Sequence, residues 1–154
     1  MGVEIERKFL VIGDSWKTVE PVTLCQGYLN TDKARTVRIR TSANEAFLTI
    51  KGITSSISRP EFEYAIPIDD ANELLLLCSE SIIQKKRYAL PIGDVVWEID
   101  EFFGDNAGLI IAEVELRYEV QSIELPNWIG KEVSGDSRYY NSSLASMPFS
   151  KWVD

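Results

Sequence analysis

Val3-Glu4-Ile5-Glu6-Arg7-Lys8-Phe9-Leu10-Val11 is the stretch on which the fold turns. Successive side chains of an extended strand point to opposite faces. Glu4, Glu6 and Lys8 therefore share one face, while Val3, Ile5, Phe9 and Val11 share the other. Arg7 interrupts the apolar set. The same layout returns along the chain. Thr36-Val37-Arg38-Ile39-Arg40-Thr41 puts two arginines on one face, and Lys85-Lys86-Arg87-Tyr88 joins Lys85 to Arg87 and turns Lys86 away. Glu61-Phe62-Glu63-Tyr64, Trp97-Glu98-Ile99-Asp100 and Glu113-Val114-Glu115-Leu116 repeat the pattern with acids. Lys51 ends the apolar stretch 47–50 on the charged face.

A single pair of this kind is what any half-buried strand shows to water. Repetition and sorting by sign set these strands apart. A solvated face mixes polar residues with both signs interspersed. Here four acidic pairs (4/6, 61/63, 98/100, 113/115) stand beside basic pairs at 38/40 and 85/87, with Lys8 and Lys51 added. Like charges two residues apart lie about 6.6–6.8 Å from each other along a strand and repel unless opposite charge lies between them. A multivalent cation beside the acids and a polyanion beside the bases remove that cost. The arrangement that satisfies every strand is β-rich (α+β), a closed antiparallel barrel with a polar interior and an apolar exterior partly covered by helices. A closed barrel of about eight strands has room for one small ligand.

The chain of 154 residues is 45% hydrophobic and 26% charged. It reads as one domain over 1–154, of a length that buries roughly 68–70% of its unfolded surface. Net charge −8 and a pI near 4.7 argue against nucleic acid or an anionic membrane as partner, and leave a small anion possible in a local basic field. Nothing in the sequence sets an oligomeric state. No secretory leader is read at the start, and the longest apolar run, 74–78, is too short to span a bilayer. Cys25 and Cys78 are therefore expected as reduced thiols of a cytoplasmic protein. Turn signals recur at Gly13-Asp14, 30–33, 42–44, Gly93-Asp94 and 104–108, with strand-like segments between them. Asp70-Ala-Asn-Glu73 resembles a capping box and predicts a helix near 70–80. A second helix is expected over 137–147 and a short helical turn over 15–19. Trp16, Trp128 and Trp152 read as core or helix-packing residues, and Tyr28, Tyr64 and Tyr88 as packing rather than catalytic groups.

There is no histidine. Serine–histidine and cysteine–histidine mechanisms are thereby excluded, and a base must come from carboxylate, lysine, tyrosine or metal-activated water. Hard oxygen donors without imidazole or thiolate select Mg²⁺ or Mn²⁺, and the acidic pairs supply enough carboxylates for one or two such ions. Two ions about 3.5–4 Å apart clamp the attacking and leaving oxygens of an in-line phosphoryl displacement. Lysines and arginines facing them bind nonbridging phosphate oxygens, arginine bidentately. Neither a Gly-x-x-x-x-Gly-Lys-Ser/Thr loop nor a Gly-x-Gly-x-x-Gly is present, which favours a side-chain clamp over a backbone cradle.

Glu4-Ile5-Glu6-Arg7-Lys8 resembles the Glu-x-Glu-x-Lys signature of the CYTH superfamily, the triphosphate tunnel metalloenzymes. The later charged segments follow the family's order over nearly the whole chain. Gln26-Gly-Tyr-Leu, Phe47-Leu-Thr-Ile-Lys-Gly, Ile57-Ser-Arg-Pro-Glu-Phe-Glu-Tyr, Trp97-Glu-Ile-Asp-Glu-Phe and Arg138-Tyr-Tyr-Asn are similar to the short bacterial branch containing inorganic tripolyphosphatases. The resemblance implies a closed eight-stranded antiparallel tunnel with a C-terminal helix plugging one mouth. It implies Glu4, Glu6, Asp100, Glu113 and Glu115 as ligands of Mg²⁺ or Mn²⁺ or as water-positioning groups. Lys8, Arg38, Arg40, Lys51, Lys85 and Arg87 would hold a small-molecule triphosphate, with Glu4, Glu6, Lys8 and Asp100 in the catalytic role. Glu61, Glu63 and Glu98 would line the lumen in undivided roles. Arg138, in the plug segment, would either reach phosphate or lie at the surface, as would Lys131.

The implied activity is metal-dependent hydrolysis of inorganic tripolyphosphate to pyrophosphate and phosphate. The nearest enzymatic alternative is a nucleoside triphosphate phosphohydrolase or a class IV type adenylyl cyclase, for which no base pocket is legible. A non-catalytic polyphosphate-binding module is the alternative of another class. Such a module would keep the basic pairs without needing the acidic ones, and all four acidic pairs are present.

Overall fold

The computed structural model describes residues 2–78 and 82–152. The opening stretch is β1 (Gly2–Val11). It is followed by β2 (Val22–Asn30), β3 (Arg35–Ser42), β4 (Glu45–Gly52) and β5 (Ser58–Ile66), then α1 (Ile68–Leu76). The second half holds β6 (Ile83–Ile92), β7 (Val95–Phe102), β8 (Ile110–Glu115), β9 (Ile129–Glu132) and α2 (Asn141–Ser146). Every pairing is antiparallel. The order β1-β5-β4-β3-β2-β6-β7-β8 returns to β1, so eight strands close into a barrel with no free edge.

Closure depends on how β1 divides its two edges. Residues 6–10 pair with β8, and residues 2–5 pair with β5. Further on, Phe9 lies opposite both Ala112 of β8 and Glu132 of β9. β9 must therefore occupy the edge of β1 that β5 has left. Between them is a seam at Glu6–Lys8.

The pleat sorts the residues as the alternation predicts. The outer face carries Phe9, Tyr88, Trp97, Ile99 and Val114, which pack under Trp16 and Trp128 from the flanking loops. Rings meet edge to face, Trp16 with Tyr88 at 5.0 Å and Trp97 with Trp128 at 5.7 Å. On the far side of the barrel α1 lays the fully buried Ala71 against Ile39 and Ala46. Gly27 is required where the chain leaving α1 crosses β2. A Cβ there would stand 2.7 Å from both the Cys78 Sγ and the Ile82 Cδ1.

The third apolar cluster lies inside one end of the barrel. Tyr28, Ile83, Phe102 and Ile111 point inward there, and Tyr139, Leu144 and Ala145 of the C-terminal segment fill the space between them. The Asn106 Oδ1 accepts from the Phe149 N–H at 2.9 Å and ties this plug to the β7–β8 connection. The lumen is thus blind at one end, as expected.

Three local expectations change. α1 starts at Ile68, earlier than the expected capping box, because Pro67 ends the ladder for want of an N–H. Asp69 and Asp70 then sit inside the first turn, where they favour the helix dipole without capping it. Residues 79 and 80 of that expected helix lie outside the described residues. The helix over 137–147 is broken at Tyr140, whose extended ψ of 136° separates a single 3-10 turn (Ser137–Tyr139) from α2. The segment 15–19 is no helix; Lys17 N–H closes one turn on the Asp14 carbonyl at 3.0 Å. Tyr28 and Tyr88 are packed, whereas Tyr64 is 55% exposed. Among the described residues no helix is long and apolar enough to cross a membrane.

Leu144 has no exposed surface at the centre of the plug. Leu144→Ala is expected to lower unfolding stability by about 2–5 kcal/mol, read as a fall in the urea midpoint at unchanged m-value.

Candidate active site

Because lumen positions recur every second residue, every barrel strand except β2 delivers charged side chains to one chamber. β1 brings Glu4, Glu6 and Lys8; β3 brings Arg38 and Arg40; β4 and β5 bring Lys51, Glu61 and Glu63. β6 contributes Lys85 and Arg87, β7 contributes Glu98 and Asp100, and β8 contributes Glu113 and Glu115. The outer chamber has a volume of about 200 Å³ and is lined by four cations and seven carboxylates. Deeper, against the plug, six cations meet only Glu6 and Glu113, with Tyr28 and Asn141 beside them. The charge therefore runs from acidic at the mouth to basic at the blind end.

Most of these charges neutralise each other across the strands. Lys51 Nζ donates to both oxygens of Glu4 at 2.9 and 2.8 Å, and Glu61 stands 3.4 Å from the same ammonium. Lys8 lies 3.4 Å from Glu113 and 3.6 Å from Glu6. Arg87 grips Asp100 bidentately at 2.7 and 2.9 Å, while Lys85 reaches the same carboxylate at 2.7 Å. Lys85 also donates to the Asn141 Oδ1 at 3.1 Å, which likewise accepts from Gln26. Arg38 and Arg40 are poorly served, with Glu63 at 3.7 and 3.9 Å. Among the described residues the buried Nε donors of both arginines have no partner.

Comparison with known proteins bears on this lining. The family profile described as CYTH domain matches residues 2–146. The chain belongs to the CYTH domain family. An inorganic triphosphatase of Acetivibrio thermocellus is 46% identical over 156 residues, spanning all of both chains. One from Nitrosomonas europaea is 37% identical over 92% of this chain and 96% of the relative. The solved inorganic triphosphatase NE1496 superposes with a TM-score of 0.67 at 35% identity, over 92% of this chain and 96% of that one. A Pyrococcus horikoshii protein, PH1012, shares the fold at a TM-score of 0.61 and 19% identity, over 75% and 79% of the chains.

In this CYTH barrel the lumen gathers every charged residue expected of it save Arg138. Arg138 lies outside, its side chain 59% exposed and paired with Asp136 at 2.7 Å, stacked on Trp152 at 5.1 Å. Lys131 is exposed as well. Lys86 faces outward over the Phe103 ring. Asp100 is wholly buried, and both its oxygens are paired, with Arg87 and Lys85. It thereby fixes the positions of two lumen cations. Sequence reasoning passed over Arg59, whose Nε stands 3.4 Å from Glu4 and which lines the deep chamber. Its even spacing, two residues from Glu61 and four from Glu63, was the available signal. Gln26, Thr49 and Asn141 were also missed, being neutral.

The titration of these groups follows from their neighbours. Burial pushes the Glu4 carboxyl upward, but Lys51 and Arg59 outweigh it and hold the group at about 2. Glu6 is raised to about 8 by burial and by Glu113, with Lys8 opposing too weakly. Glu115, opposite Glu6 in the β1–β8 ladder, is raised by burial and by Glu4 and Glu98. Burial lowers Lys85 to about 8, with Arg87 adding to the fall and Asp100 opposing it. Arg40 falls to about 10 through burial and the nearby Arg38 and Arg87. The pairing thus leaves Arg38 and Arg40 with only a distant anion, and Glu6 with one cation, Lys8, at 3.6 Å.

A carboxyl whose folded pKa is raised contributes stability that is present below its unfolded value, here 4.5, and lost as pH rises through about 8. In EDTA, the thermal midpoint of Glu6→Gln relative to the native chain is expected to climb between pH 5 and pH 9. Asp100→Ala should cost about 3–5 kcal/mol by stranding two buried cations, measured by urea unfolding at pH 7.

Proposed function

We propose that this CYTH chain hydrolyses inorganic tripolyphosphate to pyrophosphate and orthophosphate, with Mg²⁺ or Mn²⁺ as cofactor. The observation that carries the reading is the pair of buried guanidiniums, Arg38 and Arg40, whose Nε donors have no partner among the described residues. A buried donor left unmade costs about 1–3 kcal/mol, more when charged. A linear polyanion laid along the lumen satisfies both and adds negative charge beside Lys85, which shares its one close carboxylate with Arg87. The full-length likeness to relatives named inorganic triphosphatase supports the same reading.

The residues fit a hard divalent cation. Among the described residues no three acidic side chains already form a cation cage, because Glu4 and Glu113 are engaged by Lys51 and Lys8. Phosphate oxygens compete for those same ammoniums and release the carboxylates. Glu6 and Glu115, neighbours with raised pKa values, are under-neutralised, with only Lys8 at 3.6 Å from Glu6. Glu4, Glu6, Glu113 and Glu115 would hold the ion, which supplies Lewis-acid stabilisation of charge developing on the phosphoryl group.

The remaining roles belong to the chain itself. Lys8, Lys85, Arg87 and Arg59 hold the phosphate at the blind end. Arg38, Arg40 and Lys51 hold the groups nearer the mouth, keeping the polyanion in line for displacement. Asp100 fixes Lys85 and Arg87 before substrate arrives. The plug excludes bulk water from the deep end and so strengthens each contact there.

Phosphate release from tripolyphosphate and from ATP, with Mg²⁺ or Mn²⁺ and with EDTA, tests this directly. Tripolyphosphate should be turned over faster than ATP, only with metal, and at least about 10²-fold more slowly by Glu4→Gln/Glu6→Gln. Arg40→Ala should raise KM about ten-fold, equivalent to about 1.4 kcal/mol. Equal or faster turnover of ATP would make the chain a nucleotide enzyme. Binding without turnover would make it a polyphosphate-binding module.

A further inference from the structure

Each hydrolytic turnover consumes one water, and the barrel limits where that water can enter. One end is filled by the plug cluster of Tyr139, Leu144 and Ala145, and the other is where a triphosphate would lie. The wall is interrupted at the seam where β5 leaves β1 and β9 takes over the same edge. In an antiparallel strand the N–H and C=O of one residue point to the same neighbour. At the seam Glu6 N–H reaches the Ile57 carbonyl at 3.2 Å. Lys8 N–H is received by a side chain, the Ser134 Oγ at 2.9 Å, in place of a strand carbonyl. Glu6 C=O faces the same gap, and among the described residues no turn or loop N–H closes on it.

A cavity of about 20 Å³ occupies this gap. A water needs about 10–15 Å³ and two to four polar partners, so the space has room for one water. Glu6, Lys8 and Arg59 line both this cavity and the deep chamber. Thr54 and Ser56 supply hydroxyls from the β4–β5 turn.

Both rims are held in place. Ser55 and Ser58 exchange backbone hydrogen bonds at 2.7 and 3.0 Å, leaving Ser56 at the tip with φ of 59°. Opposite, Arg7 grips Glu132 at 2.9 and 2.8 Å, and Glu132 accepts from the Ser134 hydroxyl at 2.6 Å. That chain ends on the Lys8 backbone and keeps β9 from closing over the gap.

We propose that this seam is a water port, delivering the hydrolytic water laterally to Glu6 and Lys8 while the polyanion occupies the mouth. The proposal rests on the tripolyphosphatase reading. Its test plugs the port reversibly in a folded chain. Ser56→Cys, at the exposed lip, is labelled with benzyl methanethiosulfonate. The native chain, with its own Cys25 and Cys78, is treated in parallel. Mass spectrometry confirms one adduct at position 56, and kcat and KM for tripolyphosphate are read before labelling, after labelling and after dithiothreitol. The label should lower kcat at least about ten-fold, leave KM within about two-fold, and be fully reversed by reduction. A labelled chain with undiminished kcat overturns the port alone. A rise in KM at unchanged kcat also overturns it, making the lip a substrate contact. Absence of turnover by the unlabelled native chain overturns the hydrolase reading and the port together.

Discussion

Charge neutralisation inside a closed wall is the constraint on which the rest of this structure depends. A buried charge without a partner is costly, and the barrel places charges from seven of its eight walls in one lumen. They are held by pairing across the strands: Lys51 with Glu4, Lys8 with Glu113, and Arg87 and Lys85 with Asp100. The pairing is uneven. Asp100 is served by two cations, while Arg38 and Arg40 share a distant Glu63. That unevenness separates a ligand site from an internally satisfied core, and it places the surplus of positive charge against the plug.

The two-residue period made most of this legible before any coordinates. It assigned each charged side chain to a face, put Lys86 outside, and required a closed sheet with apolar walls. It could not say which residues would meet. Lys8 and Glu113 lie far apart in sequence, and their contact depends on β1 pairing with β8. Nor did it show that Asp100 would be sealed behind its partners, since a strand pattern gives a residue's face and not its depth. Arg59 escaped notice because its sign is opposite to that of Glu61 and Glu63, although it shares their parity. β9 has only four residues and no alternation of its own; its position comes from the edge that β5 vacates. The break at Tyr140 follows from packing of the plug, which local propensity does not encode.

The comparisons divide along the same line. The archaeal PH1012 protein, at 19% identity, shares the wall, and a wall alone carries no chemistry. The full-length relatives at 46% and 37% identity bear the name of an activity, and the lumen described above gives that activity a physical basis in this chain.

The blind end has a further consequence for traffic. On the proposed reading, a lumen filled by the plug at one end is a single-lane road: a fragment lying against Lys85 and Asn141 would depart only after the fragment nearer the rim had moved out. The order of product release would then be set by the shape of the barrel rather than by relative affinity, and a new substrate would wait for the deepest fragment to clear.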